Sequence, residues 1–258
     1  MIRFEFSPGA YALIPSGFED DGFVAAFTER SGGASTEPRF ASLNLSYSSG
    51  DDPRYVSSNR YLVTRELGTG PFAVGGQVHG ATLALIEPEQ AGSGFEGPEG
   101  VIGATDGLHS SFPGVALAVA TADCAPIILG SAREERLAVI HAGWRGIAAG
   151  IVEAAARLFD DPTGVRATIG PCAGVCCYEV GGEVVEAIEA GPGGSAVTRR
   201  SSGRVFLDIP STIERGLREL GVRDIEPSGV CTIDLSDRFF SHRRDGPCGR
   251  QLAIAMRL

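Results

Sequence analysis

The chain has 258 residues, with 22 Lys and Arg against 32 Asp and Glu, four His, six Cys and a formal charge of −10. That balance argues against nucleic acid as a partner, because a polyphosphate backbone must be met by a broad basic surface. No apolar run is long enough to span a bilayer, the longer ones being broken by Asp, Pro or Gly, so we expect no membrane association and one domain over residues 1–258.

The opening residues, MIRFEFSPGAYALIP, lack a continuous apolar segment followed by a small-residue cleavage site, and a cytoplasmic location is expected. A short strand is predicted at Phe23 to Phe27. After a loop, Asp51 or Asp52 before Pro53 starts a helix that runs to about Leu67. β-Branched and apolar content places strands at Phe72 to Val78, Thr82 to Ile86, Val115 to Ala120, Ile127 to Leu129, Leu137 to Ile140 and Arg166 to Ile169. Helices are predicted at about Ile147 to Phe159, Glu183 to Glu189 and Ser211 to Leu220. Two Gly-rich stretches, 87–100 and 190–203, read as exposed loops tolerant of insertion. Strands and helices follow no regular βαβ rhythm and the Rossmann phosphate fingerprint is absent. The expected class is therefore α+β with mixed sheets rather than a doubly wound parallel sheet.

Three residues carry the strongest chemical signal. His79 closes GGQVHG between a strand and Gly80, Cys124 ends VALAVATADC before Pro126, and His141 ends LAVIH and opens AGWRG. Pro126 is expected to break the strand ladder and so present the thiol. Singly, such a His is commonly a turn or core residue, and such a Cys an inert buried one. Together, two imidazoles and a thiolate suit zinc, with a fourth position left for water or substrate. The tight turn after His141 would aim a helix N-terminus and Arg145 at the same space, while Trp144 reads as a core plug.

The other cysteines, Cys172, Cys176, Cys177, Cys231 and Cys248, are too sparse for a disulfide scaffold. Cys172, Cys176 and Cys177 have the wrong spacing for paired zinc knuckles, and adjacent cysteines ligate one tetrahedral ion with difficulty, so they read as packing residues. Near the end of the chain, Arg243 and Arg244 in SHRRDG could bind phosphate or a sugar hydroxyl, or form a surface salt-bridge turn.

Taken in order, SLNL (42–45), GDD (50–52), QVHG, ATDGL, TADCAPI, HAGWRG, IGPCAGVCCYEV and SHRRDG cover nearly the whole chain and resemble the YfiH-type proteins. These are the laccase-domain or polyphenol oxidase family, described as multifunctional purine nucleoside phosphorylases. The resemblance implies a zinc site of His79, Cys124 and His141. It also implies mixed sheets in a sandwich flanked by helices, similar to the cytotoxic-necrotizing-factor-like cysteine hydrolases. The activities implied are phosphorolysis of adenosine, inosine, guanosine and methylthioadenosine, and deamination of adenosine. His242 stands where the family commonly has an aromatic residue, and Cys172 occupies a variable position.

On this reading the ligands are a purine nucleoside and phosphate, with no protein partner. Arg145 and Arg244 are the phosphate candidates, Asn44 a polar substrate contact, and Asp123 a weak candidate for moving a proton. Copper is the alternative ion, with weak oxidation of phenols. Four histidines cannot furnish a blue copper site and a trinuclear cluster together. Two other readings use the same residues. One is a metal-free hydrolase, with Cys124 as nucleophile and His141 as base, acting on an amide such as a peptidoglycan precursor. The other is a non-enzymatic protein in which His242 closes a four-ligand metal site.

Overall fold

Strands covered on both faces lose the polar–apolar alternation of a surface strand. The long apolar runs near residues 116–121, 125–131, 136–142 and 251–257 are central strands of this kind. A computed structural model describes residues 1–258. Its first half contains β1 (Ile2–Ser7), β2 (Ala10–Ile14), β3 (Phe23–Thr28), α1 (Pro53–Leu67), β4 (Phe72–Val74), β5 (Leu83–Leu85), β6 (Gly107–Ser110), β7 (Ala116–Thr121) and β8 (Ala125–Ser131). There follow β9 (Arg136–Ala142), α2 (Trp144–Ala148), α3 (Ile151–Ala156), β10 (Arg166–Ile169), β11 (Glu179–Val180), α4 (Gly182–Ala190), β12 (Thr198–Ser201) and β13 (Arg204–Leu207). The chain ends with α5 (Ile209–Glu219), β14 (Asp224–Pro227), α6 (His242–Asp245) and β15 (Gln251–Arg257).

One six-stranded sheet has the order β1-β2-β3-β15-β7-β4, the other β14-β10-β8-β9-β6-β5, and β11-β13-β12 form a small third sheet. Pairing is mixed, with β4–β7, β5–β6 and β10–β14 parallel and the remaining pairs antiparallel. The structure therefore has the α+β class expected.

Side-chain parity along the strands sorts the core into layers. Leu117 and Val119 of β7, with Ala253 and Ala255 of β15, face the second sheet, where they meet Ile128, Leu137 and Val139. Phe18, Phe23 and Phe27 fill the same layer, and the small Ala253 and Ala255 leave room for them; truncating Phe27 to Ala would cost about 3–5 kcal/mol. The opposite parity, Leu252, Ile254 and Met256, packs with Val63 of α1 and Phe95. On the far side of the second sheet, Ile127, Leu129 and Ile140 pack against residues of α2, α3, α4 and α5. The result is helix, sheet, sheet, helix.

Several expectations are corrected. The strand from Phe72 stops at Val74, since Gln77 and His79 take φ of +35° and +61°, which an extended ladder cannot hold. Pro126 does not break a ladder: it lies within β8 opposite His141. Its missing N–H is harmless because the His141 N–H points away, to the Asp106 carbonyl at 2.7 Å, and Pro126 faces the side on which β10 has ended. The single helix expected over 147–159 is two, broken at Gly150 with φ +90°.

The 190–203 loop contains β12, joined to β13 by a turn whose Ser202 and Gly203 both have positive φ, the conformation favoured in two-residue hairpins. The 87–100 loop is not a free surface either. Phe95 is fully buried, and the Gly94 and Phe95 carbonyls accept from buried Arg60 at 2.7 and 2.9 Å. The β1–β2 hairpin was not among the predicted elements. No helix is long and apolar enough to cross a membrane.

Candidate metal centre and its cavity

The ends of β7, β9 and the loop before β5 bring His79, Cys124 and His141 together, with their ligand atoms all within 4.8 Å of one another. His79 is exposed, Cys124 opens onto a cavity while protein surrounds it on its other sides, and His141 is buried. The two imidazole rings lie 4.9 Å apart and nearly perpendicular.

Asp106, fully buried just before β6, organises this cluster. Its carboxylate accepts the backbone N–H of Val78, His79 and Gly80 at 3.1, 2.8 and 2.7 Å, and lies 2.8 Å from His141 Nδ1. One side chain thus fixes the loop that carries the first histidine and the ring orientation of the second. With Nδ1 engaged, His141 turns Nε2 to the cluster, the arrangement in which a carboxylate orients a metal-ligating imidazole. Gln77 anchors the same loop from its other side: its amide donates to the Ala120 carbonyl at 2.7 Å and accepts from the Ala120 N–H at 2.9 Å.

The electrostatics follow from these contacts. Burial alone would raise the Cys124 thiol, but the charge on His141 and hydrogen bonds from His141 and His79 outweigh it and bring the thiol down to about 6. Burial likewise opposes a charged His141, yet the Cys124 thiolate and the Asp106 carboxylate lift it to about 9. Burial pushes Asp106 up, and the hydrogen bond to His141 with those from Gly80 and His79 more than reverses it. Without a metal, the pair near neutral pH is a thiolate and an imidazolium; a metal would displace the proton from His141.

The residues fit a metal. A thiolate and two imidazoles form a donor set suited to zinc or copper, and Gly143 supplies the space. A Cβ there would lie 2.8 Å from Cys124 Sγ and 3.2 Å from His79 Cδ2, so any side chain would push into the donors.

The cluster forms the floor of a cavity of about 720 Å³. Arg60, Arg145, Arg243 and Arg250 line it, giving a cationic wall in an acidic protein. Arg145 stacks on Trp144, with its guanidinium 4.3 Å from the ring centroid, and Arg243 stacks on Tyr178 at 4.6 Å. Trp144 is half-buried; it packs on the core, as expected, and also faces the cavity. The phenol oxygen of Tyr47, another lining residue, is buried without a partner.

Two of the sequence candidates stand outside the cavity, and a third lines it with its oxygens already engaged. Asn44 is fully buried and does not line the cavity. Its amide donates to Ser49 Oγ and Asp51 and accepts from the N–H of Ser46 and Arg250, so it holds the wall in place. Arg244 is spent on the carbonyls of Thr232, Ile233 and Phe239 and on Asp245; its neighbour Arg243 faces the cavity instead. Asp123 lines the cavity, but its oxygens accept from Thr232 Oγ1 at 2.7 Å and the Arg243 N–H at 2.6 Å. It braces the turn before Cys124, where its own φ is +93°. The helix after His141 has only five residues, Trp144–Ala148, so anion affinity rests on the arginines rather than on a summed dipole.

Sequence reasoning passed over Asp106, Gln77, Arg60 and Arg250. The first two lie inside the ATDGL and QVHG strings, where they were read as motif letters without a role.

Comparison with known proteins gives the chain's family. The sequence model of the multi-copper polyphenol oxidoreductase laccase family matches residues 24–258. A purine nucleoside phosphorylase of Pseudomonas aeruginosa is 36% identical over 88% of this chain and 90% of that protein. The purine nucleoside phosphorylase YfiH of Escherichia coli is 34% identical over 94% of this chain and 97% of its own length. Among solved structures, YlmD from Geobacillus stearothermophilus superposes with a TM-score of 0.91 at 33% identity, covering 99% of this chain and 98% of that one. By sequence and by fold, the chain belongs to the multi-copper polyphenol oxidoreductase laccase family and to its YfiH-type branch.

Proposed function

We propose that the chain is a zinc-dependent purine nucleoside phosphorylase, acting on adenosine, inosine, guanosine and methylthioadenosine, with adenosine deamination at the same site. The observation that carries this reading is the His79, Cys124 and His141 cluster at the floor of an arginine-walled cavity. Its volume lies within the range of about 300–1,000 Å³ usual for small-molecule sites. The names of its relatives support the same substrate class.

His79, Cys124 and His141 would hold the ion. Bound there, zinc supplies a Lewis acid and an open position at which the pKa of water falls to about 7. Asp106 keeps His141 in the tautomer that ligates and holds the His79 loop against the cluster. In phosphorolysis a phosphate oxygen bonds to the ribose carbon as that carbon's bond to the purine nitrogen breaks, and the base leaves with a proton. The chain's part is to position and neutralise the phosphate, which falls to Arg145, Arg243 and Arg250. Tyr47, with its unpartnered phenol, offers a hydrogen bond to the nucleoside. The six thiols, all free, suit a reducing cytoplasm.

Elemental analysis of the purified protein, paired with inosine and adenosine turnover with and without phosphate, tests this. We expect near-stoichiometric zinc that is lost in His79→Ala, with phosphate-dependent release of hypoxanthine and adenine. Purine release without phosphate dependence, or activity surviving metal removal, overturns it.

One observation favours a second reading. Cys124, His141 and Asp106 form a linked thiolate, imidazolium and carboxylate, the arrangement a metal-free thiol hydrolase needs. Amide hydrolysis that persists after metal stripping and is abolished by alkylating Cys124 would select it.

A further inference from the structure

A second group of donors lies outside the cavity. Cys176 and Cys177 sit in a turn between β10 and β11, closed by the Cys177 and Tyr178 N–H groups donating to the Gly174 carbonyl at 3.0 and 2.9 Å. Cys231, 54 residues further on, is held opposite Cys172 by a parallel bridge, with the Thr232 N–H on the Cys172 carbonyl at 3.0 Å. The three Sγ atoms all lie within 4.8 Å of one another. None is in a disulfide; Cys176 is exposed and the other two are half-buried, so an ion can reach them from solvent.

We propose that Cys176, Cys177 and Cys231 form a second metal site for one thiophilic ion of the Zn²⁺ class, with water in the fourth position. A tetrahedral thiolate site with Zn–S of about 2.3 Å spaces its sulfurs about 3.8 Å apart, so closure requires about an ångström of contraction at most. Adjacency of Cys176 and Cys177 is a poor arrangement in an extended strand. Here a tight turn carries both, and the third donor arrives from a different segment. The Gly174 N–H donates to Cys231 Sγ at 3.3 Å, a contact that favours a thiolate at that sulfur. A Cβ on Gly174 would lie 3.2 Å from Cys231 Cβ and 3.6 Å from Cys176 Sγ, so glycine allows the sulfurs to gather. All-sulfur donors select soft ions over Mg²⁺ or Ca²⁺.

The site is a clip on the cavity wall. Thr232, next to Cys231, donates to Asp123, and Tyr178, next to Cys177, lines the cavity. An ion would tie those two segments together without touching a nucleoside.

The test uses reduced, metal-stripped protein titrated with Cd²⁺ under nitrogen, reading bound metal and the cadmium–thiolate charge-transfer absorption. Wild type should take up two ions per chain. Cys176→Ser/Cys231→Ser should take up one and lose most of the absorption, since three of the four ligating thiolates are in the second site. Cys124→Ser should retain one ion and most of the absorption. The single Cys176→Ser change, at an exposed position, should weaken the second binding step and leave phosphorolysis unchanged. Equal uptake and absorption by wild type and Cys176→Ser/Cys231→Ser would overturn the proposal, as would uptake of a single ion that depends on Cys124 alone. The metal-uptake and absorption readouts are independent of whether the cavity acts on purines, so their failure and the failure of the phosphorylase reading are distinguishable.

Discussion

His79, Cys124 and His141 are held from behind by a buried carboxylate that binds one imidazole and three backbone N–H groups, whereas Cys176, Cys177 and Cys231 have a single backbone N–H on one sulfur and no hydrogen bond to a carboxylate. The first group mixes nitrogen and sulfur at the floor of a cavity with four arginines; the second is all sulfur at the surface. The difference teaches where precision is built. Donors that must keep an open position for reaction need outer partners to fix their rings and loops. Donors that only close a clip can gather on a turn and let the ion do the ordering.

The largest effect should come from the donors themselves. Cys124→Ala is expected to lose the cavity ion and to reduce phosphorolysis by about a thousandfold or more, on the scale of losing a metal's charge stabilisation. Cys176→Ser should leave turnover unchanged. Steady-state inosine phosphorolysis beside metal content checks both, and a fall in Cys176→Ser equal to that in Cys124→Ala would erase the distinction between the clusters. Next in size is Asp106→Asn, which keeps the shape but removes the charge and one acceptor. It should lower zinc affinity or turnover about 10–100-fold with the fold retained, as for other outer partners of metal-bound histidines. Turnover that recovers at saturating zinc would assign Asp106 to holding the ion; a persistent loss would assign it to orienting His141 in the reaction.

Much of this contrast was legible in the sequence, and what was not has physical causes. The three donors of the cavity cluster stand beside glycine or at the end of an apolar run, where local pattern is informative, and the strand at Arg166–Ile169 and the helix starting at Pro53 have the limits the sequence predicts. Asp106 was hidden because an aspartate before glycine looks like a turn residue; only its meeting in space with residues 78–80 and with His141 reveals its four donors. Cys231 was invisible as a donor for the same reason, since its bridge to Cys172 joins distant segments. Arg243 and Arg244 exchange roles because a one-turn helix, His242–Asp245, turns neighbouring side chains about 100° apart. Spacing cannot show which one faces the cavity.

Thiol chemistry gives a sharper comparison in the metal-stripped protein. Cys124 is drawn down to about 6, while burial and hydrogen bonds with Cys177 and Cys231 push Cys176 up to about 12. The thiolate is the nucleophile, so alkylation of Cys124 should already be near its plateau at pH 7 and change little up to pH 9. Cys176, although exposed, should react slowly and speed up about tenfold per pH unit across that range. Mass-spectrometric mapping of iodoacetamide adducts against pH decides this. Faster labelling of Cys176 at pH 7 would show that exposure, not the imidazolium beside Cys124, governs reactivity.

The smallest effects separate the two neighbouring arginines. Arg243 lines the cavity and spends one contact on the Glu179 carbonyl; its removal should raise KM for phosphate about tenfold with little change in melting temperature. Arg244 makes hydrogen bonds to three carbonyls that would be left unsatisfied in Arg244→Ala, so that variant should lose about 1–3 kcal/mol of stability and keep its KM for phosphate. Thermal melts and phosphate titrations on both variants read the two effects independently. If Arg244→Ala raised KM while Arg243→Ala only lowered the melting temperature, the phosphate wall would have to be drawn on the other face of that helical turn.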